Sequence, residues 1–455
     1  MRQTDANQPN VIVFFTDQQR WDTSGLHGNP LDLTPNFDRM AQRGTHVHRS
    51  FTCQPVCGPA RSCLQTGLYA TRTGCFRNGI PLSPNLKTLA HHFGEAGYAT
   101  GYIGKWHLYS GGTGPGPVPA EHRGGYDYWL ASNVLEFTSD AYQTTLYDND
   151  NKPVDLPGYR VDALTDAVIR YVDRHKAEPF YLFTSYIEPH HQNHLDDYPP
   201  PDGYRERYTG KWIPPDLAAL GGSTHQHLGG YYGMVKRLDE ALGRLLDALK
   251  SLHLLDNTII LFTSDHGCHF KTRNGEYKRS CHESSIRVPT AFHGADFIGG
   301  GQLQELVSLV DLPPTLLDAA GLGVPTEMQG RSIMPLVRGE TDGWPEEVFV
   351  QISEAQVGRA VRTQRWKYGV DAPNKSGGKD AGSDRYVEQY LYDLQADPYE
   401  LKNLVGLRSH EPVTEVMRER LIRRMLEVGE EAPTIDQAPA QRGGQRSVSE
   451  AEARS

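Results

Sequence analysis

Residues 11–18 read VIVFFTDQ, a continuous apolar run of β-branched and aromatic residues that stops at a carboxylate and an amide. A run this short and unalternating is expected to be a strand buried on both faces. Three later segments have the same form: YATGYIGKWH (98–107), FYLFTSYIEPH (180–190) and NTIILFTSDHG (257–267). Between them lie helical patterns, LKTLAHHFGEAG (86–97), VDALTDAVIRYVDRH (161–175) and YGMVKRLDEALGRLLDALKSL (232–252). Strands alternating with helices predict an α/β fold with a mainly parallel or mixed central sheet sandwiched by helices. Ligands of such sheets gather beyond the carboxyl ends of the strands. Asp17, Lys105, His107, His190, Asp265 and His266 all fall at those ends.

A different character begins after LVSLVDLPPTLLDAAGL (306–322), itself expected to be one amphipathic helix. EVFVQIS, GRAVRTQRWKYGV and EQYLYDL read as antiparallel strands, followed by a helix over 413–431. The expected organisation is a catalytic domain over 1–345, a smaller C-terminal α+β domain with an antiparallel sheet over 346–432, and a disordered tail over 433–455. Two Gly-, Pro-, His- and Tyr-rich stretches, 110–125 and about 191–230, lie next to strand ends and are expected to be lids or substrate walls.

Composition narrows the function classes. A net charge of −10 over 455 residues speaks against a general polyanion-binding surface, so no nucleic-acid partner is expected. An anionic substrate would have to be met by a local basic pocket. No stretch is long enough to span a bilayer, and six scattered cysteines do not resemble a disulfide framework. The expected location is cytoplasmic, with no membrane association.

The stretch CQPVCGPARSCLQTGLYATRTG (53–74) carries the nucleophile candidate. Pro59 suits the first turn of a helix and Gly67 its end. Cys57 would then stand where the first free N–H groups point, with Arg61 one turn on and facing the same way. Asp17-Gln18 and Asp265-His266, each at a strand end, offer two carboxylates, an amide oxygen and an imidazole, a plausible divalent-cation set. Ca²⁺ fits it, and so do Mn²⁺, Mg²⁺ and Zn²⁺. Lys105 and His107, two apart on a strand, are expected to share a face with Trp106 pointing away. Such a pair suits an oxyanion and its proton transfers. Lys278 in GEYKRSCHESSIRVP adds a cation, and His190 an acid/base group. His190, His191 and His194 offer an alternative zinc site that lacks an evident fourth ligand.

These motifs together resemble the type I sulfatase family of the alkaline-phosphatase-like superfamily. The likeness runs through Asp17, CGPAR with Thr66-Gly67, GKWHL (104–108), Pro189-His190, TSDHG (263–267), Lys278 and SIRVP, to LYDLQADPYELKNL (391–404). It implies hydrolysis of a sulfate ester (sugar, aryl or alkyl) to an alcohol and inorganic sulfate. It implies that Cys57 is oxidised to formylglycine by a formylglycine-generating maturation enzyme. One divalent metal, Ca²⁺ favoured, would be bound by Asp17, Gln18, Asp265, His266 and the oxygen derived from Cys57. Arg61, Lys105, His107, His190 and Lys278 would surround the sulfate. The implied chemistry has the hydrated aldehyde attack sulfur, His190 protonate the leaving alcohol, and His107 take a proton as sulfate departs. Gln18 stands where many members have a second Asp, His266 where many have Asn, and Gln65 in place of an aliphatic residue. The first two, with Asn78 as a substrate-side residue, resemble the branch that includes phosphonate monoester and phosphodiester hydrolases, the alternative activity on this scaffold.

Overall fold

The computed structural model describes residues 8–112, 114–442 and 447–454. Strand β1 (Asn10–Thr16) sits at the centre of an eleven-stranded mixed sheet and pairs in parallel with two neighbours. In chain order the other strands are β2 (Thr45–Phe51), β3 (Ala99–Lys105), β4 (Tyr128–Ser132), β5 (Ser139–Asp140), β6 (Gln143–Tyr147), β7 (Pro153–Pro157), β8 (Phe180–Ser185), β9 (Thr258–Ser264), β10 (Ala291–His293) and β11 (Gly301–Ser308). The spatial order is β11-β2-β10-β9-β1-β8-β3-β4-β6-β5, with β7 beside β6.

Both faces of the central strands are buried. On β1, Val11, Val13 and Phe15 enter one core while Ile12 and Phe14 enter the other. On β9, Ile259 and Leu261 oppose Ile260 and Phe262 in the same way. Helix α1 (Pro35–Arg43) and the helices Arg160–Arg174 and Thr224–Ser251 cover the second face. Helix α2 (Cys57–Thr66), all ten residues of which are buried, lies in the first.

A second sheet, β12 (Glu347–Ile352), β13 (Gly358–Thr363), β14 (Trp366–Asp371) and β15 (Arg385–Asp393), is antiparallel through these four strands. It shares the first core: Phe349 packs edge-on against Tyr69 at 5.6 Å, and Gln351 N–H donates to Cys53 O at 2.8 Å. No helix among the described residues is long and apolar enough to cross a membrane.

Three expectations are corrected. The segment 306–322 is not one helix: its first residues finish β11, a 3-10 turn follows, and only Leu312–Ala319 is α-helical. Leu306 and Val307 are needed as partners of β2, and that pairing outweighs local helical periodicity. The stretch 433–455 is expected to be disordered, yet its described residues hold β16 (Thr434–Asp436), parallel to β15, and the helix Glu450–Ala453, while residues 443–446 and 455 lie outside the described residues. Val448 and Ala453 bury against the first core, which composition alone does not reveal. β3 stops at Lys105, so Lys105 and His107 do not share a strand face. Trp106 and His107 instead donate their N–H groups to Ser132 O and Asn133 O, and His107 has φ 58°.

Gly104 permits that ending. Its φ is +113°, and a Cβ there would stand 2.0 Å from Ser185 O. Gly104→Ala is therefore expected to destabilise the protein by roughly 2–4 kcal/mol, read as a lower urea midpoint at unchanged m-value.

Candidate active site

The buried ends of β1, β3 and β9 and the start of α2 meet around Cys57. α2 begins after extended Val56 with no side-chain cap, and Gly67, at φ 71°, closes it with an N–H bond to Cys63 O. The orphan N–H of Gly58 is taken by Asn78 Oδ1 at 2.8 Å. Cys57 thus occupies the first helical position, as its sequence context implies.

Cys57 Sγ lies 2.8 Å from Lys278 Nζ, 3.3 Å from His266 Nε2 and 3.6 Å from Asp17 Oδ1. Asp17 is the hub: its Oδ2 accepts from Arg61 Nη2 at 2.9 Å and from Lys105 Nζ at 2.8 Å. Lys278 also reaches His190 Nε2 at 3.1 Å, and His190 Nδ1 is 2.6 Å from His191 O. The carbonyl fixes the proton on Nδ1 and leaves the Nε2 lone pair facing Lys278. The His107 side chain lies near the Cys57 sulfur and is one of the groups that lower its thiol.

Burial pushes Asp17 up, as does Cys57, but Lys105, His190 and Arg61 outweigh both and hold it well below the usual carboxylate range. Burial likewise raises the Cys57 thiol, and Lys278, Lys105 and His266 overcome it, leaving the thiol well below its ordinary value. Asp265 goes the other way, up to about 7, through burial and the neighbouring Asp17 charge. His190 is lowered by burial and Lys278.

Ligand atoms of Asp17, Cys57, Asp265 and His266 lie within 4.8 Å of one another, and all four residues are buried. Asp265 Oδ2 is buried without a hydrogen-bond partner, 3.6 Å from Arg61 Nη2. Two adjacent buried carboxylates, one with an oxygen left over, plus an imidazole suit a divalent cation. Gln18 is next to this set. Its N–H donates to Asp265 Oδ1 at 2.9 Å, its Nε2 donates to Tyr198 OH at 3.1 Å and Cys268 Sγ at 3.2 Å, and its Oε1 is 3.4 Å from His191 Nδ1.

The alternative zinc trio does not form. His190 stacks on His191 and bonds Lys278, whereas half-exposed His194 pairs with Asp140 Oδ1 at 3.2 Å. The 191–230 stretch, read as a loop, contains the short helices Tyr204–Tyr208 and Pro215–Ala219.

Three residues were missed from sequence. Glu136 Oε1 accepts from Lys105 Nζ at 3.0 Å, Ser185 Oγ accepts from Arg61 Nη1 at 2.7 Å, and Glu354 Oε1 accepts from Asn78 N–H at 2.7 Å. Ser185 ends a recognised strand, two residues beyond Phe183, and could have been found from that. Glu136 sits in the single 3-10 turn Leu135–Phe137 and Glu354 in the loop between β12 and β13, with no spacing to betray them.

The comparisons with known proteins agree with this geometry. The sequence model of the family described as Sulfatase matches residues 9–322. The chain belongs to the sulfatase family. The model described as N-sulphoglucosamine sulphohydrolase, C-terminal, matches residues 275–427. An ulvan-active sulfatase of Formosa agariphila is 28% identical over 452 residues, covering 96% of this chain and 84% of that protein. An N-acetylglucosamine-6-O-sulfatase of Bacteroides thetaiotaomicron is 25% identical, covering 88% of this chain and 83% of that protein. The crystal structure named for the yidJ sulfatase of Bacteroides fragilis superposes with a TM-score of 0.81 at 24% identity, covering 94% of this chain and 98% of that one, a likeness that speaks for the fold.

Glu136 gives a test of how this sulfatase holds its buried lysine. Glu136→Gln keeps the shape but leaves Lys105 with one counter-charge, and should lower stability by roughly 2–4 kcal/mol in urea unfolding. An exposed acid such as Glu121, mutated the same way, should move it by less than about 0.5 kcal/mol.

Proposed function

We propose that this sulfatase hydrolyses the sulfate ester of a sugar or of a small aryl or alkyl alcohol, with Cys57 converted to formylglycine by a maturation enzyme. One divalent cation, Ca²⁺ favoured, would be held by Asp17, Gln18, Asp265 and His266 with residue 57. The observation that carries the reading is the position of Cys57 Sγ, which stands where the formylglycine oxygens would be. It lies between the Asp17–Asp265–His266 cluster and the Lys278–His190 pair. The hydrated aldehyde supplies a hydroxyl nucleophile and a second hydroxyl for release, and the cation supplies charge balance and a lowered oxygen pKa.

The chain's own groups do the remainder. Arg61, Lys105 and Lys278 bring three buried or nearly buried cations to bear on sulfate oxygens in a water-poor site. Lys105 and Arg61 cannot swing freely, because Asp17, Glu136 and Ser185 fix their heads. His190, with its Nε2 against Lys278 Nζ, is placed to pass a proton from that ammonium to the departing alcohol oxygen. His107, partly exposed beside residue 57, would take the proton of the remaining hydroxyl. Asn78 spends its Oδ1 on Gly58, and its Nδ2 carries no hydrogen bond among the described residues, so that donor is left for substrate.

Relatives named for ulvan and for N-acetylglucosamine sulfates support a sugar as the alcohol. Six buried, unbridged cysteines fit a reducing compartment and hence the cytoplasm.

Protein co-expressed with a formylglycine-generating enzyme should turn over an aryl sulfate repeatedly. Cys57→Ala should fall by at least about 10³-fold in kcat; retained turnover would overturn the reading. In the same preparation a phosphonate monoester turned over faster than any sulfate would favour the alternative activity. Chelation should abolish turnover, and Ca²⁺ should restore it better than Mn²⁺, Mg²⁺ or Zn²⁺.

A further inference from the structure

A second convergence of ligand-type side chains lies outside the Cys57 site. His46 and His48 are two apart on β2 and therefore project from the same face of the sheet, while Val47 enters the opposite core. His27 ends the 3-10 turn Gly25–His27, which connects β1 to α1. One ring nitrogen of each histidine lies within 4.8 Å of the other two. Ring centroids are 4.9 Å apart for His27–His46, 4.8 Å for His27–His48 and 5.7 Å for His46–His48.

Two features suit this trio to a metal ion. First, His27 Nε2 and His46 Nε2 stand 3.2 Å apart. As it stands the pair shares a proton in a hydrogen bond; two imidazole nitrogens at 2.0–2.1 Å from one tetrahedral zinc ion are about 3.3 Å from each other, so the same pair is spaced to ligate one ion in place of that proton. Second, the protein does not complete the array by itself. His48 Nδ1 is buried with no hydrogen-bond partner, against the strong tendency of buried polar atoms to be paired, whereas His27 turns its other nitrogen, Nε2, to the array. The charged groups that act on the rings are the cations Arg287 and Arg49, not carboxylates.

We propose that His27, His46 and His48 form a binding site for one transition-metal dication of the zinc class. Three neutral imidazoles select zinc-like ions over Ca²⁺ or Mg²⁺, which prefer oxygen. His46 is buried, whereas His27 and His48 are partly exposed. The ion can therefore enter from solvent and keep a water as its fourth ligand. Arg287 opposes a cation here, but its guanidinium lies 3.9 Å over the Trp21 ring, donates to His48 O at 2.8 Å, and has Glu283 at 3.9 Å. Bound metal would pin the turn at Gly25–His27 to β2, bracing the segment that leaves the sheet directly after Asp17 and Gln18.

The test uses the full chain, stripped with a chelator and titrated with Zn²⁺ in saturating Ca²⁺. Wild-type protein should bind one more zinc equivalent than His46→Gln or His48→Gln, and zinc should raise its Tm but not theirs. The zinc K-edge spectrum of the wild type should show imidazole scattering from three nitrogens at about 2.0 Å. Aryl sulfate turnover of the variants in Ca²⁺ should stay within about twofold of wild type, which separates this site from the one at Cys57. If buried His46→Gln does not fold, the partly exposed His48→Gln decides alone. Equal zinc stoichiometry in wild type and variant, or a first shell dominated by carboxylate oxygen, overturns the proposal.

Discussion

Everything at the site hangs on how one buried carboxylate is kept charged. Asp17 is fully buried at the end of the central strand, and an isolated carboxylate there would take up a proton. Arg61 and Lys105 prevent this by donating to the same oxygen, Oδ2, which leaves Oδ1 facing Cys57 Sγ and His266. The three residues come from β1, α2 and β3, so the ion cluster locks three elements into register. It also explains the second tier. Lys105 needs Glu136 as a further counter-charge, and Arg61 spends its other nitrogen on Lys105 O and Ser185 Oγ. Buried ions of this sort add little net stability, but removing one leaves its partner uncompensated. The cluster is therefore a device for geometry: it fixes two cations beside residue 57 while its own charges stay satisfied.

The sheet supplies the precision. Because β1 and its neighbours are covered on both faces, a one-residue slip would exchange Val13 and Phe15 with Ile12 and Phe14 between two differently shaped cores. Register is thus fixed from both sides, and the residues beyond the strand ends inherit that certainty. α2 adds to it. Its whole surface is buried, and Asn78 and Gly67 close its two ends. Cys57 has almost no freedom except in its own χ1.

Legibility in the sequence followed the same physics. Apolar runs such as 11–15 and 259–262 declare buried strands because nothing else satisfies them, and the carboxylates just beyond them were readable for that reason. β2 was not legible. THVHRSF places histidines and an arginine on a strand, and only the three-dimensional trio with His27 explains why polar residues recur there. Leu306 and Val307 fall in a strand that starts in Gly-Gln-Leu and runs straight into a helix start, so the segment carries both periodicities at once. Glu136 and Glu354 were invisible for a third reason. Each reaches the site from a short connection, a 3-10 turn for Glu136 and a loop for Glu354, whose position depends on packing rather than on repeat spacing.

The error at His107 is the most informative of these. Alternation along a strand would have given Lys105 and His107 a common direction, but the strand cannot continue. At Gly104 the backbone approaches Ser185 O too closely for any side chain, and with φ near +113° it leaves the regular pleat. His107 then adopts φ 58°, its N–H is taken by Asn133 O, and its ring comes to the sulfur of Cys57. The two side chains do reach the same site, by a route opposite to the one expected: Lys105 from within the sheet, fully buried, and His107 from a strained turn that remains partly open to solvent. In the proposed hydrolysis that difference matters. A cation that balances charge is best held rigidly out of water. A group that must take a proton and hand it on needs solvent within reach. Strain at a left-handed non-glycine residue is tolerated where surrounding structure dictates it, and here the dictate is the junction between β3 and β4 that also buries Trp106.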